Sequence, residues 1–161
     1  MIRDTFEIEI DFSAKGNGGL FANGGWSRPE PNYSFNYGSE SRLVLPKPFD
    51  SDSYELTLDV WPFVVLDRLP TQRIDVLVRG CLVMSEVVEN RQPRTLACAI
   101  PPPSVDGCTA VDVTFRFPNA TAPAGLIDRS RDTRPVAFAF RRICFAGRLR
   151  AGSLPDRLIV A

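Results

Sequence analysis

The segment Gly24–Gly38 reads Gly-Gly-Trp-Ser-Arg-Pro-Glu-Pro-Asn-Tyr-Ser-Phe-Asn-Tyr-Gly. It sets Trp26, Tyr33, Phe35 and Tyr37 among Arg28, Glu30, Asn32 and Asn36. Sugar recognition requires these residue types. The C–H face of a pyranose stacks on an aromatic plane, and its hydroxyls exchange hydrogen bonds with carboxylate, amide and guanidinium groups. A flexible glycine pair followed by a stiff Ser-x-Pro-x-Pro stretch would fix Trp26 and Glu30 at a set angle. The candidate ligand-binding residues here are Trp26, Arg28, Glu30, Asn32, Tyr33 and Tyr37. Tyr33, Phe35 and Tyr37 are spaced by two and share one strand face. That face is either site or core, and the same choice stands for Trp26.

A second polar cluster is Asp128-Arg129-Ser130-Arg131-Asp132-Thr133-Arg134. It reads as a solvated loop or as the polar rim of a binding site, to which Arg131 and Asp132 would belong. Glu30, Glu40 and Asp128 are the carboxylates from which a glycoside-hydrolase pair would have to come, but no spacing singles out a pair. Gly16-Asn17-Gly18-Gly19 lacks the lysine pattern of a P-loop. Asp50-Ser51-Asp52 comes nearest to a calcium loop and reads better as a solvated turn. No cofactor, metal or catalytic residue is expected.

Composition narrows the field further. The chain has 161 residues, 19 basic, 19 acidic and no histidine. Zero net charge removes the electrostatic footprint of a nucleic-acid or polybasic membrane binder. Lack of histidine removes Ser-His-Asp and Cys-His catalysis and histidine-ligated zinc. Nothing approaches the roughly 20 apolar residues of a membrane-spanning helix. All but two of the basic residues are arginine, the exceptions being Lys15 and Lys47. Cys81, Cys98, Cys108 and Cys144 form no CxxC pair, and no apolar stretch follows Met1 as in a signal peptide. Synthesis in a reducing cytoplasm with free thiols is the expectation, with Cys98 packed inward and a Cys98–Cys108 bridge as the oxidised alternative.

These residues must be positioned by strands. Phe6, Ile8, Ile10 and Phe12 alternate with Glu7, Glu9 and Asp11, and Tyr54, Leu56, Leu58 and Val60 with Glu55, Thr57 and Asp59. Ile74–Val78 and Cys81–Val88 flank a two-residue Arg79-Gly80 turn. Leu96–Ile100, Val111–Phe117 and Val136–Phe145 continue the pattern, with shorter strands at Tyr33–Tyr37 and Arg42–Leu45. Fourteen prolines and eleven glycines leave no window for a helix of ten residues, and Pro123–Asp128 is the one helical turn expected. About nine strands predict an all-β fold, an antiparallel two-sheet β-sandwich of jelly-roll type, as a single domain over 1–161.

The run Gly25-Trp26-Ser27-x-Pro29-Glu30-Pro31, then Gly38, then Leu43-x-Leu45-Pro46, resembles the opening of a bacterial β-sandwich accessory domain. That domain accompanies glycosyltransferases and other proteins of surface-polysaccharide assembly. The resemblance continues through Gln72–Val78 and Gly80, Phe117-Pro118-Asn119-Ala120-x-x-Pro123 and Asp132-x-Arg134. It spans about Phe21 to Phe145. It implies a jelly-roll-like module that binds carbohydrate. Two departures stand out: the family often has tryptophan where this chain has Phe35, and the expectation here is a module that stands without an attached transferase.

The resulting expectation is non-catalytic binding of bacterial capsular or extracellular polysaccharide. Small β-sandwich spikes on phage-like particles attach to host capsule and are released by lysis without a signal peptide, so an attachment spike is one form this role could take. Two alternatives stand beside it: a structural or assembly subunit without a glycan site, as a homo-oligomer or bound to a scaffold protein, and a carboxylate-dependent polysaccharide hydrolase.

Overall fold

The computed structural model describes residues 4–149. The ends of the domain expected over 1–161 lie outside the described residues. Nine strands form: β1 (Thr5–Asp11), β2 (Ser34–Phe35), β3 (Glu40–Pro46), β4 (Ser53–Pro62), β5 (Thr71–Val78), β6 (Cys81–Glu89), β7 (Arg94–Ile100), β8 (Ala110–Arg116) and β9 (Phe138–Arg148). One antiparallel sheet runs β1-β9-β4-β7, with β2 also paired to β9; the other runs β3-β8-β5-β6. The eight longer strands divide between the sheets as in a jelly roll, and β5–β6 is the hairpin that stays within one sheet. The expected all-β two-sheet sandwich is what the chain adopts. Among the described residues the helical turns are three short 3-10 pieces, one of them Pro123–Gly125 within the turn expected there.

The alternation seen in the sequence is the packing. Ile10, Leu43, Leu45, Leu56, Leu58, Ile74, Val76, Val113, Phe115 and Ile143 are fully buried between the sheets, while their polar neighbours face out. Arg79 and Gly80 both take positive φ, 49° and 82°, as the β5–β6 hairpin turn requires. Cys98 points inward, and all four cysteines carry free thiols.

Three features shape the outer face of the five-stranded sheet. First, β1 and β2 share one side of β9: β1 pairs with Arg142–Arg148, and β2 with Phe140 and Ala139. Second, the register between β4 and β9 slips at the junction, pairing Asp59 with Arg142 but Val60 with Phe140. Arg141 is the extra residue, so Arg141 and Arg142 both face solvent, and the inward set passes from Phe138 and Phe140 to Ile143 and Phe145. Third, the loop after β1 is tied back to it. Asn17 accepts the Asp11 N–H at 2.7 Å and donates to the Glu9 carbonyl at 3.0 Å, satisfying backbone groups along an open edge.

The Gly24–Gly38 segment straps one end of the sandwich. Gly25, at φ 81°, lies so close to β3 that an added Cβ would sit 2.0 Å from the Glu40 carbonyl. Ser41 Oγ donates to the Gly25 carbonyl at 2.5 Å and Ser27 Oγ to that of Phe35 at 2.9 Å. Asn36 is fully buried; its Oδ1 accepts the N–H groups of Ala137 and Phe138 at 2.8 and 3.0 Å, and its Nδ2 donates to Gly38.

Candidate functional site

Trp26 is half-buried and packs against the core. Its ring stacks on Phe12 at 4.6 Å and meets Phe140 and Phe115 edge-to-face at 5.0 and 6.3 Å. Its Nε1 donates to the Arg42 carbonyl at 2.9 Å. The ring is half-buried against aromatic neighbours and its polar atom is taken, which favours the core alternative for Trp26 over a stacking role.

The aromatic strand runs the other way. Ser34 and Asn36 point inward and are buried, so Tyr33 and Phe35 stand on the outer face. Across the sheet, Phe35 of β2, Ala139 of β9 and Trp61 of β4 form one row. The small Ala139 is the floor of a trough between two aromatic walls. Tyr33 meets both walls at right angles, 5.3 Å from Phe35 and 6.1 Å from Trp61. Phe63, Ile127 and Arg91 complete this depression of about 440 Å³. Arg134 lies over Phe35 at 5.8 Å, held by both oxygens of Asp132 at 2.9 and 2.7 Å. That hydrogen bonding holds the Asp132 carboxyl below its ordinary pKa.

Trp61, 37% exposed, also borders two more depressions. The larger, about 820 Å³, is polar: Glu9, Asp11, Asn17, Asn32, Arg141 and Arg142 line it with Trp61. The smaller is bordered by Asp59, Arg94, Thr95 and Arg141. Arg142 is ion-paired with Glu9 and lies 3.9 Å from Asp59, which accepts the Thr95 hydroxyl at 2.7 Å. Asp11 stays ionised below its ordinary range because the Ser13 backbone N–H donates to it. An aromatic trough thus adjoins a groove of fixed donors and acceptors, with Trp61 between them. Such a surface can stack the apolar face of a flat polar ring and hydrogen-bond its rim.

Of the residues picked from the sequence, Tyr33 and Asn32 reach Trp61, and Asp132 acts through Arg134. Glu30 faces Arg134 electrostatically, and its N–H closes a turn onto the Tyr33 carbonyl at 2.8 Å. Arg28, Tyr37 and Arg131 are exposed but line none of the three depressions. Trp61, Asp59, Arg141 and Arg142 escaped the sequence reading, although two signals were there. Trp61 continues the outward phase of Glu55, Thr57 and Asp59, and the apolar phase changes between Phe140 and Ile143.

The carboxylates weighed for hydrolysis are dispersed. Glu40 lies on the other sheet, paired with Arg42 at 3.2 Å and Arg116 at 3.7 Å, and Asp128 is in an exposed loop. Among the described residues, each carboxyl whose pKa moves is lowered, opposite to what a general acid requires. Asp50 receives the Lys47 ammonium and the Gly107 N–H. No group of three His, Cys, Asp or Glu among the described residues is arranged to hold a metal.

The same architecture occurs in solved structures. The CBM36-1 domain of a multidomain xylanase from the hindgut metagenome of Trinervitermes trinervoides matches over 91% of this chain and 99% of its own, with TM-score 0.51 and 12% identity. Dimeric latent PorU from Porphyromonas gingivalis matches over 92% of this chain, with TM-score 0.55 and 8% identity; the match spans 13% of PorU. The fold is thus that of a carbohydrate-binding-module-like β-sandwich. At such identities the likeness extends to the fold alone. No family model matches the chain, and no curated protein matches its sequence.

Proposed function

We propose that this protein is a non-catalytic module that binds bacterial capsular or extracellular polysaccharide on the outer face of its five-stranded sheet. The observation that carries this reading is the Phe35–Ala139–Trp61 trough with Tyr33 across it, set beside the Asn32–Arg142 groove. The sandwich it shares with a xylanase's CBM36-1 domain supports the reading at the level of fold. The bacterial accessory-domain resemblance supplies the polysaccharide class, and attachment from a phage-like particle is the form the role takes in this proposal.

Encapsulated cells and their capsule-less counterparts are the matched test. The protein is expected to sediment with the first and not the second. Trp61→Ala removes one wall and Ala139→Leu crowds the floor, so each should abolish retention, and Trp61→Ala should do so with a melting temperature near that of the parent. Retention unchanged in both variants would refute the trough as the site.

The assembly-subunit reading has one observation of its own. β6 is an edge strand with Leu82 59% and Val87 60% exposed, and exposed apolar edges pair readily with other chains. A stable oligomer in sizing chromatography, without retention on any glycan, would favour it.

A further inference from the structure

Four arginines surround Trp61, and three of them are already engaged. Arg142 is held by Glu9 and lies near Asp59, Arg94 donates to the Glu89 carbonyl and to Asn90 Oδ1 at 2.7 and 2.8 Å, and Arg91 donates to the Val64 carbonyl at 3.2 Å. Arg141 is different. Among the described residues its guanidinium has no hydrogen-bond or ion-pair partner, yet it borders both the polar groove and the smaller depression beside Trp61. The register slip sets Arg141 and Arg142 side by side on the outer face, Arg141 as the unpaired extra residue. The nearby carboxylates carry other hydrogen bonds, Asp11 from the Ser13 N–H, Glu9 from Arg142 and Asp59 from the Thr95 hydroxyl, and Asp11 meets Arg141 only through space. A planar, permanently charged fork thus stands beside a stacking indole, and among the described residues no carboxylate is hydrogen-bonded to it. Such a fork matches a carboxylate with two parallel hydrogen bonds.

Resting on the glycan reading above, we propose that the bound sugar is acidic: a uronic-acid residue stacks at Trp61 and its carboxylate pairs with Arg141. The chemistry that distinguishes it from a neutral sugar is the planar carboxylate. A sulfate ester carries a similar charge in a tetrahedral shape.

Affinity electrophoresis of the whole protein tests this with polygalacturonate, alginate and hyaluronan, each beside its carboxyl-reduced product, and with dextran sulfate as the sulfated arm. Retention is expected on at least one uronate polymer, weaker by about tenfold after carboxyl reduction, as losing a charge-assisted hydrogen bond would give. Arg141→Ala should cause a similar loss, Arg141→Lys a partial one, and added salt should weaken all three. Arg141 is exposed and unbonded, so an unchanged melting temperature is expected to accompany the loss. Equal retention before and after reduction, indifference to Arg141→Ala, or equal retention on dextran sulfate would overturn the acidic-sugar assignment while leaving glycan binding in place. Absence of retention on every polymer, with encapsulated cells also unbound, would overturn both.

Discussion

Trp26 and Trp61 separate two demands that an aromatic-rich sequence leaves mixed. Trp26→Ala opens a void beside Phe12, Phe115 and Phe140 and leaves the Arg42 carbonyl with the Asn23 N–H alone, so it should cost about 3 kcal/mol in urea denaturation. Trp61→Ala gives up mainly an edge contact with Tyr33, about 1 kcal/mol. Asn36 is the polar counterpart of Trp26. Asn36→Ala would leave two buried N–H groups unmatched, at about 1–3 kcal/mol each, and urea midpoints would read the loss. The sequence placed Asn36 among sugar-binding types because composition near a tryptophan carries no direction. Direction came from β2 itself: Ser34 and Asn36 face inward because backbone groups there need partners, and the aromatics are turned out.

At the scale of elements, the strands were legible because one buried face writes period two into the chain. β1, β4, β5, β8 and the Arg79-Gly80 turn lie where alternation and turn chemistry put them. The bulge in β9 was less visible, since Phe138, Phe140, Ile143 and Phe145 all read as apolar and the change of phase is one residue among eight. The strap formed by Gly25–Pro31 was legible as a motif but not as a role. Its conformation meets structural needs: Gly25 permits close approach to β3, and Ser27 ties the strap to β2. Gly25→Ala should therefore lower the melting temperature sharply, both by collision with Glu40 and by strain at φ 81°. A melt within a degree of the parent would show the strap to be dispensable.

For the whole molecule, titration sets the working range. The folded state lowers the carboxyls of Asp11, through the Ser13 N–H, and Asp132, through Arg134, below 3.8. Their contribution is complete above that pH and is lost as pH falls through the lower folded values. Lys47 moves the other way. Burial depresses it, but Asp50 and Tyr54 outweigh burial, so its contribution is complete below 10.5 and disappears as pH rises beyond that. Burial and then Glu7 push Cys144 up to about 11 from 9.0, adding a loss across that interval. With no histidine in the chain, urea midpoints should stay level from about pH 5 to about pH 8 and fall on either side. A slope near neutrality would contradict this account.

The pairing of β1 with β9 also determines how the sandwich bears load. Thr5 lies opposite Arg148 in an antiparallel ladder, so the chain enters and leaves at the same end of the same two strands. Tension applied between residues 4 and 149 would act on one rung at a time, peeling the ladder from Thr5–Arg148 toward Asp11–Arg142, rather than shearing all the rungs together. A tether attached at these points would yield at low force, whereas one pulling on the outer face of the five-stranded sheet would strain it across several strands at once. Optical-trap traces that give a high, single-step rupture between residues 4 and 149 would rule out this peeling geometry.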